Sequence, residues 1–234
     1  MSVNPAALDD PRLARFSRQL LVPGFGEAAQ QRLAAARVRA VGADGVAAPA
    51  LLYLVQAGVG RLWVDDPEAV SPQDVGSWLH PPSAVGTPRS TAAAEALSRL
   101  SGFVSVEPYP TGGVPTATLV AAPSAAQALH AAEAARRAGV PHVVMEADGD
   151  GGAVVSIPPG APCYSCARST GTGRPAVPGA AALAALAAEE LLLLIAFPGT
   201  IAGRRFDLVR GVTTARPTAR LAGCACAAPA VMGP

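Results

Sequence analysis

The stretch from residue 38 to residue 66, VRAVGADGVAAPALLYLVQAGVGRLWVDD, decides the fold. Its first apolar run, 38–41, predicts a short strand, and the glycine-containing segment 42–45 predicts a turn. Residues 46–57 have the length and composition of a helix that ends at a glycine, and 61–64 predict a second strand. A strand, a glycine turn, a helix and a second strand in this order predict the first third of a nucleotide-binding α/β sheet.

Strands and helices continue to alternate on both sides of this unit. Residues 11–36 predict two helical segments broken by a Pro-Gly-rich turn, and the Pro-, Ser- and Gly-rich residues 67–90 predict a long loop. Further strands are predicted at 104–108, 117–122, 140–145 and 152–157, and further helices at 91–100 and 124–138. We therefore expect an α/β fold with a Rossmann-like, mainly parallel sheet flanked by helices, whose strand ends form the ligand edge.

The chain changes character after residue 158. The apolar stretch 180–197 contains Glu189 and Glu190, which make a membrane span costly, so we expect a buried helix there and no membrane partner. Residues 205–209 and 218–221 are predicted to form antiparallel strands. We expect one domain over 1–234, with N-terminal helices in 1–36, a nucleotide-binding-type half in 37–160 and a cysteine-pair part in 161–234, stapled by zinc.

Composition excludes several functions. The 234 residues are 50% hydrophobic, and the net charge is +1 without a basic block, which argues against nucleic-acid binding through a broad basic surface. All 18 basic residues are Arg, so neither a Schiff-base lysine nor a P-loop lysine exists. The beginning of the chain lacks a basic region followed by an apolar run, so we expect a cytoplasmic protein without a signal peptide.

Four motifs in order resemble one family. They are RFSRQLL at 15–21, GADGVA at 42–47, His80 with VGTPR at 85–89, and PCYSC at 162–166, followed by a C-x-C pair. Together they resemble the ThiF/MoeB/HesA branch of the ubiquitin-activating enzyme superfamily. This resemblance implies ATP bound at the strand ends, adenylation of the C-terminal carboxylate of a small ubiquitin-like protein or peptide, and a homodimer.

The resemblance also implies roles for particular residues. Arg18 falls where the family supplies an arginine to the neighbouring subunit's triphosphate, although a solvated helix Arg would look the same. Asp65 falls where an acidic residue holds the ribose, or it is an ordinary strand-end Asp. Arg89 replaces a phosphate-binding lysine, and Gly42 and Gly45 belong to the turn that approaches the phosphates.

Other positions depart from the family pattern. Asp44 stands at the middle glycine of the turn and brings a carboxylate toward an anion site. Gly76 replaces a phosphate-binding Arg, and Pro123 replaces the aspartate that binds Mg²⁺, so ATP and Mg²⁺ binding are in doubt. Ala47, Ala128 and Ala132 replace a glycine, an Arg and an Asn, and the crossover loop at 169–178 carries no acceptor Cys.

The four cysteines form two pairs, Cys163-x-x-Cys166 and Cys224-x-Cys226. Four thiolates suit a structural Zn²⁺ site without an open catalytic position, and the family resemblance implies such a site. The second pair is one residue shorter than the family's, and reduced thiols or a disulfide are the alternatives.

Two principal function hypotheses follow. One is a pseudoenzyme that keeps the family's groove and binds a peptide or a ubiquitin-like protein; the other is an active adenylyltransferase with an atypical site. A third reading, regulatory binding of an adenine nucleotide, would use Asp65 and Arg89.

Overall fold

The computed structural model describes residues 10–76, 78–148, 151–168 and 177–227. Eight strands form one sheet in the order β3-β2-β1-β4-β5-β6-β7-β8. Pairing from β3 across to β5 is parallel, and β5 to β8 pair antiparallel. The strands are β1 (Arg37–Val41), β2 (Arg61–Asp65), β3 (Ser105–Pro108), β4 (Ala117–Val120), β5 (His142–Asp148), β6 (Gly151–Ile157), β7 (Arg204–Val209) and β8 (Val212–Pro217).

Seven helices accompany the sheet in the described residues. They are α1 (Asp10–Leu20), α2 (Gly26–Ala35), α3 (Ala48–Ala57), α4 (Arg89–Ser98), α5 (Ala125–Arg137), α6 (Tyr164–Ala167) and α7 (Val177–Ala196). The mixed sheet flanked by helices confirms the predicted fold class.

Apolar residues on the two faces of the sheet form two cores. On one face, α3, α4 and α7 pack against the strands, with Leu54, Leu62 and Leu191 fully buried. On the other face, α5 and α6 cover β4 to β6 around Val144 and Val155. The sheet is therefore covered on both sides near its centre, which suits its continuous apolar strands.

Helix α7 is the long apolar segment noted in the sequence. Its part Gly179–Ala196 has the length and composition to cross a membrane, but half of that window is buried inside the protein. Leu183, Ala187 and Leu191 are fully buried in the core, and the buried Glu190 accepts hydrogen bonds from Arg204 of β7 at 2.8 and 2.6 Å. Glu190, one of the two acids that make a membrane span costly, thus forms an ion pair that connects α7 to the sheet.

The last strand was predicted wrongly. Residues 218–221 follow β8 and are not part of it. Arg210 and Gly211 both have positive φ, of 49° and 81°, which is the backbone of a two-residue hairpin turn. The chain therefore reverses at once after β7, and the next strand begins at Val212, with Val209 opposite.

Candidate nucleotide site and cysteine centre

The glycine turn lies at the point where the strand order reverses, between β1 and β4. Gly42 has φ +96°, and a Cβ there would lie 2.4 Å from the Ala121 carbonyl oxygen that follows β4. Only glycine fits this close approach of the two strand ends. The predicted turn thus stands at the crevice where doubly wound sheets bind their ligands.

Asp44 places its carboxylate against the backbone N–H groups that follow the glycine turn. Its Oδ1 accepts hydrogen bonds from the backbone N–H groups of Val46 at 3.0 Å and Ala47 at 3.1 Å, at the start of α3. The residue is buried. Backbone N–H groups at a helix N-terminus are the donors that otherwise hold a phosphate. In this chain two of them are already used by an internal carboxylate.

Asp66, and not Asp65, faces the turn. The sequence assigned the ribose role to Asp65, but its Oδ2 accepts a hydrogen bond from Arg39 Nε at 2.9 Å on the opposite face of β2. The buried Asp66 accepts the N–H of Ala43 at 2.9 Å. Burial raises the pKa of Asp66, against the lowering effect of the Ala43 hydrogen bond and of Arg89. The signal for it, a second acid directly after the strand, was present in the sequence.

Arg89 is held by three carboxylates. Its Nε and Nη2 donate to Asp74 Oδ2 at 3.1 and 2.9 Å, and its Nη1 donates to Glu68 at 2.9 Å and lies 3.7 Å from Asp66. Burial opposes ionisation of Asp74, but hydrogen bonds from Ser71 and Arg89 outweigh it and lower its pKa. The predicted phosphate contact is therefore engaged in a buried intramolecular ion cluster.

The turn region carries more negative than positive charge. Three carboxylates, those of Asp66, Glu68 and Asp74, surround the Arg89 guanidinium, and a fourth, that of Asp44, lies in the turn itself. Pro123 is exposed after β4 and offers no metal ligand, and Gly76 lies with φ +92° on the loop that contributes Asp74.

His80 holds the turn from beneath. Its ring is fully buried, and its Nε2 donates to the Ala43 carbonyl at 2.6 Å. The two peptide units that flank the Ala43 Cα are thus each fixed, one by Asp66 on the Ala43 N–H and the other by His80 on the Ala43 carbonyl oxygen. The His80 of the sequence motif orders the backbone of the turn.

Arg18 lies far from the glycine turn of the same chain. It is exposed on α1, whose Gln19 donates to the Ala57 carbonyl at 3.2 Å and whose Phe16 packs against Gly58, both at the end of α3 opposite the turn. A ten-residue helix is about 15 Å long. Arg18 therefore contacts no group of the turn within this chain.

The four cysteines converge at the other end of the molecule. Cys163 Sγ lies 3.7 Å from Cys166 and 3.6 Å from Cys224, and the Sγ atoms of Cys166 and Cys226 are 3.5 Å apart. All four sulfur atoms lie within 4.8 Å of one another. Tetrahedral Zn²⁺ with bonds of about 2.3 Å separates its thiolates by roughly 3.8 Å. The shortened C-x-C pair thus closes the site, and the cluster fits zinc.

Hydrogen bonds from β7 and the following segment hold this centre against the sheet. Arg205 Nη1 donates to the Ala167 carbonyl of α6 at 2.8 Å and to Glu146 at 3.0 Å, and Leu221 N–H points at Cys166 Sγ at 3.4 Å. Beside it, Arg136 donates to Glu133 and lowers the pKa of Glu133 to about 2. The cysteine centre is therefore built into the antiparallel end of the sheet.

Comparison with known proteins now settles the family. The model of the ThiF family matches residues 16–228. The chain belongs to the ThiF family. The resemblance read from the four motifs is confirmed.

Among curated proteins, the chain is similar to the adenylyltransferase and sulfurtransferase MOCS3 of Mus musculus, at 42% identity over 45% of this chain and 23% of that protein. It is also similar to the SAMP-activating enzyme E1 of Haloferax volcanii, at 40% identity over 44% of this chain and 38% of that protein. The sulfur carrier protein adenylyltransferase of Thermus thermophilus is 39% identical over 42% of this chain and 36% of its own length. The matches thus span well under half of these relatives.

Solved structures share the fold. E. coli MccB with ATP superposes with a TM-score of 0.76 at 17% identity, covering 91% of this chain and 74% of MccB. PaaA superposes with a TM-score of 0.71 at 16% identity, covering 94% of this chain and 79% of PaaA. At such identities the likeness concerns the fold.

Proposed function

We propose that this ThiF-family chain binds the C-terminal segment of a peptide or small ubiquitin-like protein without adenylating it. The observation that carries the proposal is the internal occupation of the phosphate site: Asp44 takes the helix N–H groups, and Asp74 and Glu68 take Arg89. A triphosphate entering this site would meet four carboxylates and would have to displace some of them. The relatives named as adenylyltransferases of sulfur carriers support the class of partner.

Loss of the metal ligand adds to this obstacle. Adenylation needs Mg²⁺ on the phosphates and cationic groups on the leaving pyrophosphate, and Pro123 supplies neither. Removing one charge-stabilising group from such a site costs about 10²–10³ in rate. No Asp or Glu lies between Glu107 and Glu133, so a small shift in the alignment does not restore the ligand.

ATP–pyrophosphate exchange tests the proposal. The substrate is the small carrier protein or precursor peptide encoded beside the gene, and the positive control is the Thermus thermophilus adenylyltransferase with its own carrier. We expect exchange at background level for this chain. Exchange above background that disappears in Arg18→Ala, an exposed change that leaves the core intact, would instead establish the second candidate, an active adenylyltransferase with an atypical site.

We further propose a homodimer in which Arg18 faces the partner copy. Beside α1, a cavity of about 420 Å³ lies between α1, α3 and α7, with Tyr53, Leu192 and Leu193 in its lining. Tyr53 and the neighbouring Leu21 are exposed, at 47% and 81%. An isologous interface would cover this apolar surface.

Light scattering at tens of micromolar measures the oligomeric state. We expect a dimer for the natural protein and a monomer for Tyr53→Arg, because the introduced charge would be buried at the interface. Val114→Arg is the matched control, since Val114 is exposed on the loop between β3 and β4. A monomeric natural protein contradicts the proposal.

A further inference from the structure

The outer edge of β8 is an open strand edge. All six residues of β8 are exposed, and β8 stands last in the strand order. Among the residues that the structure describes, no strand pairs with its outer side. An exposed edge of this length presents backbone N–H and C=O groups that an extended peptide can bind.

The hairpin turn determines which backbone groups point outward. Because Arg210 and Gly211 form a two-residue turn, Val209 and Val212 are a hydrogen-bonded pair, and every second residue of β8 repeats this pairing toward β7. Thr213 and Ala215 then direct their N–H and C=O groups away from the sheet. Pro217 has no N–H, so the open ladder ends there.

The side chains beside this edge differ at its two ends. Val212 stands opposite Val209, and both are exposed, at 65% and 60%. Four residues further, on the same face, Arg216 stands opposite Arg205, and its side chain is 64% exposed. One end of the edge is therefore apolar and the other end cationic.

Charge selects the occupant. Residues 200–227 contain five Arg and one Asp, whereas the whole chain carries a net charge of +1. Arg204 and Arg205 pair with Glu190 and Glu146 from outside this segment, and counting these two acids with Asp207 still leaves the region with two more Arg than carboxylates. Arg216 shares Asp207 with Arg205, so that single carboxylate serves two guanidinium groups. The five Arg are Arg204, Arg205, Arg210, Arg216 and Arg220. An acidic peptide would complement the cationic end of this edge.

We propose that an extended acidic peptide adds to β8 as an antiparallel ninth strand. Its backbone exchanges hydrogen bonds with Thr213 and Ala215, an acidic side chain lies opposite Arg216, and an apolar side chain four residues later lies opposite Val212. The motif recognised is thus acid-x-x-x-apolar, because an antiparallel partner runs from Arg216 toward Val212. This inference rests on the proposed role as a peptide-binding protein.

The position of this edge separates it from the nucleotide turn. Four strand spacings of about 4.8 Å lie between β4 and β8, so the peptide strand runs roughly 19 Å or more from the β4 end of the turn. Binding at β8 therefore needs no nucleotide, and it is measured in the absence of ATP.

Fluorescence anisotropy with two labelled heptapeptides tests the proposal. The first probe is threonine throughout except for glutamate at its second position and valine at its sixth; the second probe has arginine in place of that glutamate. We expect the protein to bind the glutamate probe about fivefold more tightly, since one exposed ion pair or like-charge contact contributes up to about 1 kcal/mol. The preference should weaken as salt is raised.

Two variants and a control locate the site. Arg216→Glu should reverse the preference between the probes. Ala215→Pro should weaken binding of the glutamate probe about tenfold, because it removes an outward N–H and leaves the hydrogen bonds to β7 in place. Thr213→Ala keeps its N–H and should bind as the natural protein does. Thermal unfolding verifies that each variant is folded.

Equal affinity for the two probes, or an unchanged preference in Arg216→Glu, overturns the proposal. The charge reversal decides it even if Ala215→Pro does not fold. ATP–pyrophosphate exchange by the natural protein would overturn the proposed loss of adenylation and leave this edge untouched, so the two failures are distinguishable.

Discussion

The glycine turn and the cysteine centre differ in what they retain. The turn keeps its close backbone approach, with Gly42 packed against Ala121, and the Asp44 carboxylate accepts hydrogen bonds from the N–H groups that follow it. The cysteine centre keeps its ligand atoms, with all four sulfurs within 4.8 Å despite a shortened second pair. The turn supplies acceptors for its own N–H groups, whereas the cysteine centre offers four ligand atoms to a metal.

This difference follows from what each region needs in order to be stable. Backbone N–H groups and a buried guanidinium need acceptors, and internal carboxylates can supply them as well as a nucleotide can. Four thiolates brought together repel one another, and a bound Zn²⁺ ion would neutralise this repulsion. We therefore expect loss of a cysteine ligand to destabilise the fold more than loss of a residue from the turn.

The largest expected effect is loss of the metal. Cys166→Ser should abolish zinc binding and lower the unfolding temperature more than any other change considered, because binding of a structural metal contributes directly to folding. Ser165→Ala, on the same short helix, is the control and should leave both unchanged. Elemental analysis of protein purified without chelator gives the occupancy, and less than about 0.2 zinc per chain would argue against the site.

Breaking the Arg89 cluster should have the next largest effect. Arg89→Ala leaves Asp74 and Asp66 buried without their cation, and we expect a loss of about 3 kcal/mol in the free energy of unfolding. Arg137→Ala, in an exposed pair with Glu133, should cost less than about 0.5 kcal/mol. Denaturant unfolding measures both, and similar costs for the two variants would refute a structural role for the cluster.

The pH dependence of the same cluster follows from the lowered pKa of Asp74. A lowered pKa in the folded state means that Asp74 stabilises the protein above its ordinary value of 3.8 and loses this contribution as the pH falls through its folded pKa. The difference in stability between the natural protein and Asp74→Asn should therefore be constant from pH 5 to 7 and shrink at lower pH.

Removing the Asp44 carboxylate from the turn should give the smallest change in stability. It is also the most direct test of the difference between the glycine turn and the cysteine centre. Asp44→Gly removes a carboxylate from two N–H groups and should cost a few tenths to about 1 kcal/mol. The Asp44→Gly variant should bind tripolyphosphate about tenfold more tightly than the natural protein, as measured by calorimetry. The two freed N–H groups can then donate charge-assisted hydrogen bonds to the phosphate oxygens. Asp65→Asn is the control, since Asp65 faces Arg39; an equal gain there would contradict the assignment of Asp44.

Much of this architecture was predictable from local patterns. The alternation of apolar strands with helices around the glycine turn predicted the sheet, and the order of four motifs predicted the family. The periodicity of apolar residues and the spacing of glycines predict strands, helices and turns, because burial and turn geometry depend on residues that are close in sequence. The position of β8 was not predicted, because the turn before it requires a positive φ at Arg210. Non-glycine residues rarely adopt this conformation, so the sequence did not indicate a turn there.

The sequence by itself determined the fold class, the family and the four cysteines, because each follows from residue identity and order along the chain. Only the tertiary structure decided that Asp66 faces the turn, that three distant acids hold Arg89, and that β8 presents an open cationic edge. These depend on which side chains meet across strands and loops, and long-range contacts of this kind leave no periodic signal in one sequence.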